Sequence, residues 1–249
     1  MGEPGETTGT GGGPAAGGPE DGRATPGVQG TAPLPGTPRP PGTPRLPGTS
    51  AVMGPRQPED FDLMYEGTPP WEIGRPQPAL LALAEAGATR GRVLDAGCGT
   101  GEHALLAASL GLEATGIDVA AAAIERARRK AVERGLTAQF MVGNVLDLAG
   151  LGEQFDTVLD SGLFHVLEDD DRSGFVAGLR AVVPPGGRYF LLCFSDRQPG
   201  ELGPRRITQD EIRAAFADGW RVDSIEPALI DTAVQRGAIH AWLAAITRI

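Results

Sequence analysis

The feature of this sequence that is best suited to hold a ligand is a glycine-rich loop with acidic residues around it. The segment RVLDAGCGTGEH, residues 92–103, places Gly97, Gly99 and Gly101 directly after a short apolar run. Glycines at such positions allow a tight turn and a close approach of the backbone to a ligand. Loops of this kind serve dinucleotides, phosphates and other nucleotide-like ligands, so the neighbouring residues must decide between these classes.

Two aspartates favour a ligand that carries a positive charge. Asp95 stands two residues before the first glycine, where a carboxylate would repel a pyrophosphate and attract an ammonium group. The glycine spacing is GxGxG, whereas dinucleotide loops have GxGxxG. Asp118 ends the next predicted strand, where an acid commonly accepts hydrogen bonds from ribose hydroxyls. Asp118 alone would also suit NAD, but together these residues predict a nucleoside with a cationic, amino-acid-like tail.

The elements around the loop alternate between strand and helix, which predicts an α/β fold: a doubly wound, mostly parallel sheet of seven strands. The predicted strands span 92–96, 113–118, 138–143, 155–162 and 187–195, and the predicted helices span 78–88, 101–111, 119–135, 169–183 and about 208–217. Two last strands, 220–227 and 238–246, have no helix between them and should form an antiparallel hairpin at the sheet edge. Ligands bind such sheets at the carboxyl ends of the strands, which is where the glycine loop lies.

The composition divides the chain into two parts. Residues 1–58 are rich in Gly, Pro and Thr and almost free of large apolar residues. We expect this segment to be disordered, because it cannot bury enough apolar surface to offset the entropy of ordering. Residues 59–249 are expected to form the folded domain, with residues 59–78 as a lid segment over the ligand.

Charge and cysteine content exclude several classes of function. The net charge of -10 and the pI near 4.8 argue against a nucleic-acid partner, because phosphate contacts need clustered Lys and Arg. The sequence has no apolar run long enough to span a membrane. Its two cysteines suit a reducing compartment, so we expect a cytoplasmic protein. The residue usage, with one lysine and abundant Arg, Ala, Gly and Pro, is typical of a bacterial GC-rich genome.

Several motifs in fixed order resemble those of the class I S-adenosylmethionine-dependent methyltransferases. They are VLDAGCGTG, GID, VGNVLDL, FDTVLDSGLFH and LRAVVPPGGRYFL, and the resemblance covers residues 60–249. The segment PPWEIGRPQP, residues 69–78, is similar to the lead segment of small-molecule methyltransferases such as the thiopurine, halide and thiol enzymes, and of bacterial relatives that methylate quinones or heterocycles. The resemblance implies S-adenosylmethionine as cofactor. It also implies a small aromatic or heterocyclic acceptor with an O, S or N nucleophile.

The resemblance also implies a set of cofactor contacts. Asp95, with the backbone of the loop residues, would hold the methionine end. The other implied contacts are Gly97, Cys98, Gly99 and Gly101 in the loop, Asp118 and Val119 at the ribose and adenine, Asn144 and Val145 at the adenine, Asp160 and Ser161 beside the methyl group, and Tyr65, Trp71 and Arg75 in the lid. Within the lid, Trp71 would shield the sulfonium from water and Arg75 would meet the ligand carboxylate. Many family members have Asp where this chain has Asn144, and an amide oxygen can still accept from the adenine amino group.

His165 is the candidate for a catalytic base or a substrate contact, because it follows the fourth predicted strand and histidine titrates near neutrality. No protein nucleophile and no metal site are predicted. Two rival functions stay open on the sequence alone: a module that binds S-adenosylmethionine without turnover, and an NAD-dependent oxidoreductase. The identity of the acceptor and the oligomeric state are also left open.

Overall fold

The computed structural model describes residues 1–2, 58–200, 203–233 and 238–249. The predicted disordered segment therefore lies almost wholly outside the described residues. The helices are α1 Pro58–Met64, α2 Pro78–Glu85, α3 Glu102–Ser109, α4 Ala121–Arg134, α5 Asp169–Val182 and α6 Gln209–Ala215. The strands are β1 Arg92–Ala96, β2 Glu113–Asp118, β3 Gln139–Val142, β4 Thr157–Ser161, β5 Arg188–Phe194, β6 Trp220–Ile230 and β7 Ile239–Arg248. Among the described residues, no helix is both long and apolar enough to cross a membrane.

The sheet confirms the predicted α/β class. Its strands are ordered β3-β2-β1-β4-β5-β7-β6, with β1 to β5 mutually parallel and β7 antiparallel to both β5 and β6. The C-terminal hairpin is present as expected, with β7 inserted inside the sheet and β6 at its edge. The order of the strands reverses between β1 and β4, and such a reversal opens a crevice at the carboxyl ends of the strands.

Apolar side chains cover both faces of the sheet, as a parallel sheet requires. One cluster includes Phe175, Tyr189, Phe216 and Trp242, and the other includes Leu80, Ile124, Phe140 and Phe190. Strand β5 contributes to both clusters because successive residues of a strand point to opposite faces. The strand ends that carry the polar residues are thereby held by a rigid core.

Some elements differ from the sequence-based expectation. Helix α1 and a 3₁₀ helix at Val145–Leu151 were not predicted, and β6 continues to Ile230. Helix α1 is short and packs against α4, where the Ala122 amide donates to the Asp62 carboxylate at 3.1 Å. Its formation thus depends on a tertiary contact that no local pattern reveals.

Close packing of the glycine loop on its neighbour strand depends on a glycine within β2. A Cβ added at Gly116 would lie 2.7 Å from the Phe140 ring and 2.8 Å from the sulfur of Cys98. Gly116 therefore provides the space that the Cys98 side chain occupies beneath the loop.

We expect Gly116→Ala to lower the free energy of unfolding by about 1–3 kcal/mol, because overpacking forces neighbouring side chains out of place. The matched control is Gly174→Ala within α5, where an added Cβ meets nothing within 4 Å. That substitution should raise stability by about 0.5–1 kcal/mol, since alanine favours a helix over glycine. Urea denaturation of both variants measures the difference, and equal effects of the same sign would contradict this packing account.

Candidate functional site

The glycine loop adopts a conformation that side chains would disfavour. Gly97, Gly99 and Gly101 all have positive φ angles, between 52° and 84°. A Cβ at Gly99 would lie 2.6 Å from the hydroxyl of Tyr65, and one at Gly101 would lie 2.6 Å from the Phe140 ring. The loop is thus closely packed between Tyr65 and the sheet.

Asp118 at the end of β2 supports this loop directly. Its carboxylate accepts hydrogen bonds from the amides of Gly99 at 2.8 Å and Ala120 at 2.9 Å. The residue is buried, and burial raises the pKa of its carboxyl although these two bonds oppose the shift. A carboxylate with two oxygens retains further acceptor capacity for the hydroxyls of a ribose.

Asp95 lies beneath the loop, almost completely buried at 1% exposure. Its carboxylate accepts from the Ala104 amide at 3.1 Å and so supports the start of α3. Burial raises the pKa of Asp95 to about 7, the bond from Ala104 opposes the shift, and the charges of Asp118 and Asp160 add to it. A positive ligand near this group would favour its ionised form.

Asp160 is fully buried near the end of β4, where three donors of the protein engage its carboxylate. Its carboxylate accepts from the hydroxyl of Tyr189 at 2.7 Å and from the amides of Leu163 at 2.9 Å and Phe164 at 3.1 Å. Burial raises its pKa to about 7, against these three bonds. Asp160 therefore holds the turn after β4, and at this strand end it is Ser161 that is half-buried beside the loop.

The remaining loop residues occupy different environments. The Cys98 thiol is buried under the loop, where burial raises its pKa, so only its backbone faces the strand ends. Asn144 is exposed, and its side-chain oxygen accepts from the Leu146 amide at 3.0 Å as the cap of the 3₁₀ helix. Val145 is buried in the core and Val119 is half-buried after β2. Of these four, Asn144 and Val119 have side chains that a ligand at the strand ends can reach.

The lid segment brings an aromatic pair against the glycine loop. The indole nitrogen of Trp71 donates to the hydroxyl of Tyr65 at 2.9 Å, and the two rings meet edge to face at 6.2 Å. Tyr65 is 3% exposed, and Arg126 of α4 donates to its carbonyl. The structure therefore places both predicted aromatic residues together beside Gly99.

A polar network that sequence reasoning missed fastens the lid to the loop. Glu72 accepts hydrogen bonds from Thr100 and, at 3.2 Å, from Lys130 of α4. Lys130 also donates to Thr100 at 2.6 Å and to Glu102 at 2.7 Å. Glu102 is paired in addition with Arg134 at 2.8 Å. The single lysine of the chain was the one signal that this position differs from its arginine neighbours.

Arg75 lies at the other end of the lid and is occupied by a protein carboxylate. It forms an ion pair of 2.6 Å with Asp231, the residue after β6. The Gln77 side chain forms two hydrogen bonds with the backbone of Asp231, at 2.9 and 3.0 Å. The backbone amide of Gln77 donates to Nε2 of His103 in α3. In this arrangement Arg75 anchors the lid segment, which differs from the expected contact with a ligand carboxylate.

His165 is buried in the short turn Phe164–Val166 after β4. Its Nδ1 accepts a hydrogen bond from the amide of Phe194 at 3.0 Å. Burial, aided by the charges of Arg172 and Arg206, lowers its pKa to about 3. These properties oppose the expected role as a base at neutral pH and leave a substrate contact as the role that the structure allows.

The site fits a cationic nucleoside ligand better than a dinucleotide. Asp95 and Asp118 are buried carboxylates that accept from backbone amides. Asp95 also lies 3.9 Å from Nδ1 of His103, whose pKa burial lowers to about 4. The basic groups beside the loop are engaged by Glu72 and Glu102. A pyrophosphate would add negative charge to this environment, while an ammonium or sulfonium group would offset it. The backbone of the glycine loop lies at the same strand ends and can contact such a ligand.

Comparisons with known proteins agree with this assignment. Residues 93–187 match the family model described as a methyltransferase domain. The chain is 40% identical over 163 residues to 2-heptyl-1-hydroxyquinolin-4(1H)-one methyltransferase of Mycobacteroides abscessus, covering 64% of this chain and 72% of that protein. It is 29% identical over 131 residues to probable thiol methyltransferase 2 of Arabidopsis thaliana, covering 51% of this chain and 58% of that protein.

Solved structures of other proteins are also similar to this chain. One, reported under "Conversion of a Disulfide Bond into a Thioacetal Group during Echinomycin Biosynthesis", has a TM-score of 0.72 and 41% identity, covering 77% of this chain and 93% of that chain. Magnesium protoporphyrin IX methyltransferase from Synechocystis PCC 6803 has a TM-score of 0.54 at 21% identity, covering 69% of this chain and 77% of that chain. The second likeness supports the fold alone.

The lid network predicts a role for Lys130 in cofactor affinity. We expect Lys130→Met to raise the Kd for S-adenosylmethionine about 10-fold, because two partly buried carboxylates lose their shared cation and the lid loosens. Arg129→Met is the matched control, since Arg129 is exposed on the same helix. Titration calorimetry of both variants gives the comparison. An unchanged Kd in the Lys130 variant would show that the network does not hold the lid.

The raised pKa of Asp95, about 7, predicts that cofactor binding depends on pH. Below this value the free protein carries a protonated Asp95, and a cationic ligand must displace the proton. Affinity should therefore fall as pH decreases from 7.5 to 5.5, by up to about tenfold per pH unit. Calorimetry at pH 6 in two buffers of different ionisation enthalpy should detect proton release on binding. Constant affinity without proton release would contradict the prediction.

Proposed function

The chain belongs to the class I S-adenosylmethionine-dependent methyltransferases, and we propose that residues 59–249 form its catalytic domain, with a planar heterocyclic or aromatic small molecule as methyl acceptor. Its cofactor is S-adenosylmethionine, and its reaction is methyl transfer to a small molecule. The observation that carries the proposed acceptor class is the 40% identity to a hydroxyquinolinone methyltransferase, of which the chain covers 72%.

We assign the cofactor contacts from the geometry of the strand ends. The ribose lies on the Asp118 carboxylate, and the methionine end lies on the backbone of Gly97 and Gly99, above the negative charge of Asp95. Tyr65 and Trp71 close the site from the lid. The contacts that support this assignment are the Gly99–Asp118 hydrogen bond of 2.8 Å and the close approach of Tyr65 to Gly99.

Methyl transfer depends mainly on the placement of the acceptor. S-adenosylmethionine supplies an activated methyl group on a sulfonium. The acceptor atom forms its bond to the methyl carbon as the carbon–sulfur bond breaks, and the electron pair of that bond stays on the departing sulfur. Holding the two reactants in line can lower the activation barrier by about 7–11 kcal/mol. The chain's own residues therefore need to orient the acceptor and exclude water rather than act as nucleophiles.

A sulfur acceptor is the second candidate. It is favoured by the likeness to a thiol methyltransferase at 29% identity and to the structure concerned with a disulfide and a thioacetal at 41% identity. A thiolate and an ionised heterocyclic oxygen are both nucleophilic without a protein base, so a comparison of acceptors is needed to separate them.

The test is formation of S-adenosylhomocysteine by the purified chain with 2-heptyl-1-hydroxyquinolin-4(1H)-one, with benzenethiol, or without acceptor. We expect turnover with the heterocycle, and Asp118→Ala should lower kcat/KM at least about tenfold because the ribose loses its charged partner. Turnover with benzenethiol alone would replace the proposed acceptor by sulfur compounds. Thermal stabilisation by S-adenosylmethionine without turnover of either acceptor would contradict the proposed acceptor class and favour a binding module.

A further inference from the structure

We propose that His165 binds the methyl acceptor as a neutral hydrogen-bond donor, giving its Nε2–H to an ionised oxygen of a planar acceptor. This inference rests on the proposed function and makes the acceptor class more specific: it must carry an acidic hydroxyl that is ionised when bound.

The hydrogen bond at Nδ1 decides the tautomer of the ring. The Phe194 amide donates to Nδ1 at 3.0 Å, so the lone pair of this nitrogen is used. A neutral imidazole then carries its proton on Nε2. Burial lowers the pKa of His165 to about 3, so the ring stays neutral in the physiological range. Such a ring can donate through Nε2 but has no free lone pair with which to accept a proton.

The donor lies at the carboxyl ends of the strands. A Cβ added at Gly162, directly after β4, would lie 3.5 Å from Nε2. Leu163, which begins the same turn, lies where a Cβ at Gly97 of the cofactor loop would touch it at 3.1 Å. The turn that carries His165 and the glycine loop therefore lie next to each other at the carboxyl ends of the strands.

This donor has no partner within the part of the chain that the structure describes. His165 is only 6% exposed, and its one hydrogen bond there is the bond at Nδ1. Nε2 itself is not one of the buried side-chain atoms that lack a partner, so this N–H reaches solvent. An acceptor atom supplied by a bound molecule would satisfy it.

The surroundings favour a planar and negatively charged molecule. The Phe194 ring meets the His165 ring edge to face at 4.7 Å and is half-buried at the end of β5. The Arg206 guanidinium lies 5.4 Å from the centre of the Phe194 ring. Arg172 on α5 is the second guanidinium whose charge acts on His165, and its ion pair of 3.2 Å with Asp169 offsets part of that charge. An aromatic wall with two nearby positive charges stabilises an aromatic oxyanion.

This arrangement explains how the acceptor becomes nucleophilic without a protein base. An acceptor with an acidic hydroxyl releases its proton to solvent, and the site selects the anion through the Nε2 donor and the positive charges. The negative charge that methyl transfer requires is thus present on the acceptor before the carbon–sulfur bond breaks.

Two substitutions at His165 separate the loss of the hydrogen-bond donor from a change in side-chain size. In His165→Gln the side-chain amide places an N–H near the position of Nε2, whereas in His165→Asn the amide oxygen replaces Nδ1 and the donor toward the crevice is lost. The measurement is a pH titration of the absorbance of 2-heptyl-1-hydroxyquinolin-4(1H)-one bound to the protein saturated with S-adenosylhomocysteine. It reports ionisation of the bound probe independently of turnover.

We expect the wild-type protein to lower the pKa of the bound probe by about one unit, which is a tenfold preference for the anion. His165→Gln should retain most of this shift, and His165→Asn should lose it and bind the anion about tenfold more weakly. An unshifted probe on the wild-type protein, or equal shifts in both variants, would overturn the proposal.

A measurement on the wild-type protein tests the proposal even if the His165 variants do not fold. In ¹⁵N NMR of the wild-type protein, His165 should show a protonated Nε2 and no titration between pH 5 and 8. A midpoint near 6.5 for this residue would overturn the donor role. Binding of S-adenosylhomocysteine, measured separately by calorimetry, distinguishes the failures: if it is retained, only the role of His165 fails, and if it is absent, the proposed function fails as well.

Discussion

The structure depends on three carboxylates that are buried at the carboxyl ends of the parallel strands. Asp118 is the last residue of β2, and Asp95 and Asp160 are the penultimate residues of β1 and β4. In each case the carboxylate accepts at least one hydrogen bond from a backbone amide of the segment that follows the strand. Burial disfavours their charged forms and raises the pKa of all three. The amides offset part of this cost, and in doing so they fix the glycine loop, the start of α3 and the turn that carries His165. We propose that a cationic cofactor would offset the remainder, so that cofactor choice and loop geometry would have one electrostatic cause.

The sequence predicted the strands whose carboxyl ends carry these residues, but it did not predict the directions of the side chains there. Strands β1 and β2 occur at the predicted residues because short apolar runs end at glycines or at Asp118, and these local signals agree with the tertiary structure. The direction of Asp160 toward Tyr189 depends on packing between β4 and β5, which the sequence does not specify. For the same reason Arg75 was expected at the ligand, although its partner Asp231 lies 156 residues away in the chain.

The lid shows a similar limit. The motif PPWEIGRPQP drew attention to Trp71, which lies against Tyr65, while Glu72 and Lys130 received no role. Lys130 lies in a charged run of a predicted helix, and such a run is most simply a solvated face. In the structure this pair joins three elements at the glycine loop. His165 was singled out for its titration near neutrality, yet burial and one backbone amide convert it from a candidate base into a candidate donor. Environment, rather than residue type, decides its chemistry.

We propose that the strand-end carboxylates and the glycine loop form the cofactor site. The most direct test is a crystal structure of the chain with S-adenosylhomocysteine. The account predicts the ribose hydroxyls within hydrogen-bond distance of the Asp118 carboxylate, the homocysteine end on the backbone of Gly97 and Gly99, and the Gly99–Asp118 bond intact. A ligand bound elsewhere, or a ribose held by other residues with Asp118 still turned entirely into the loop, would contradict it.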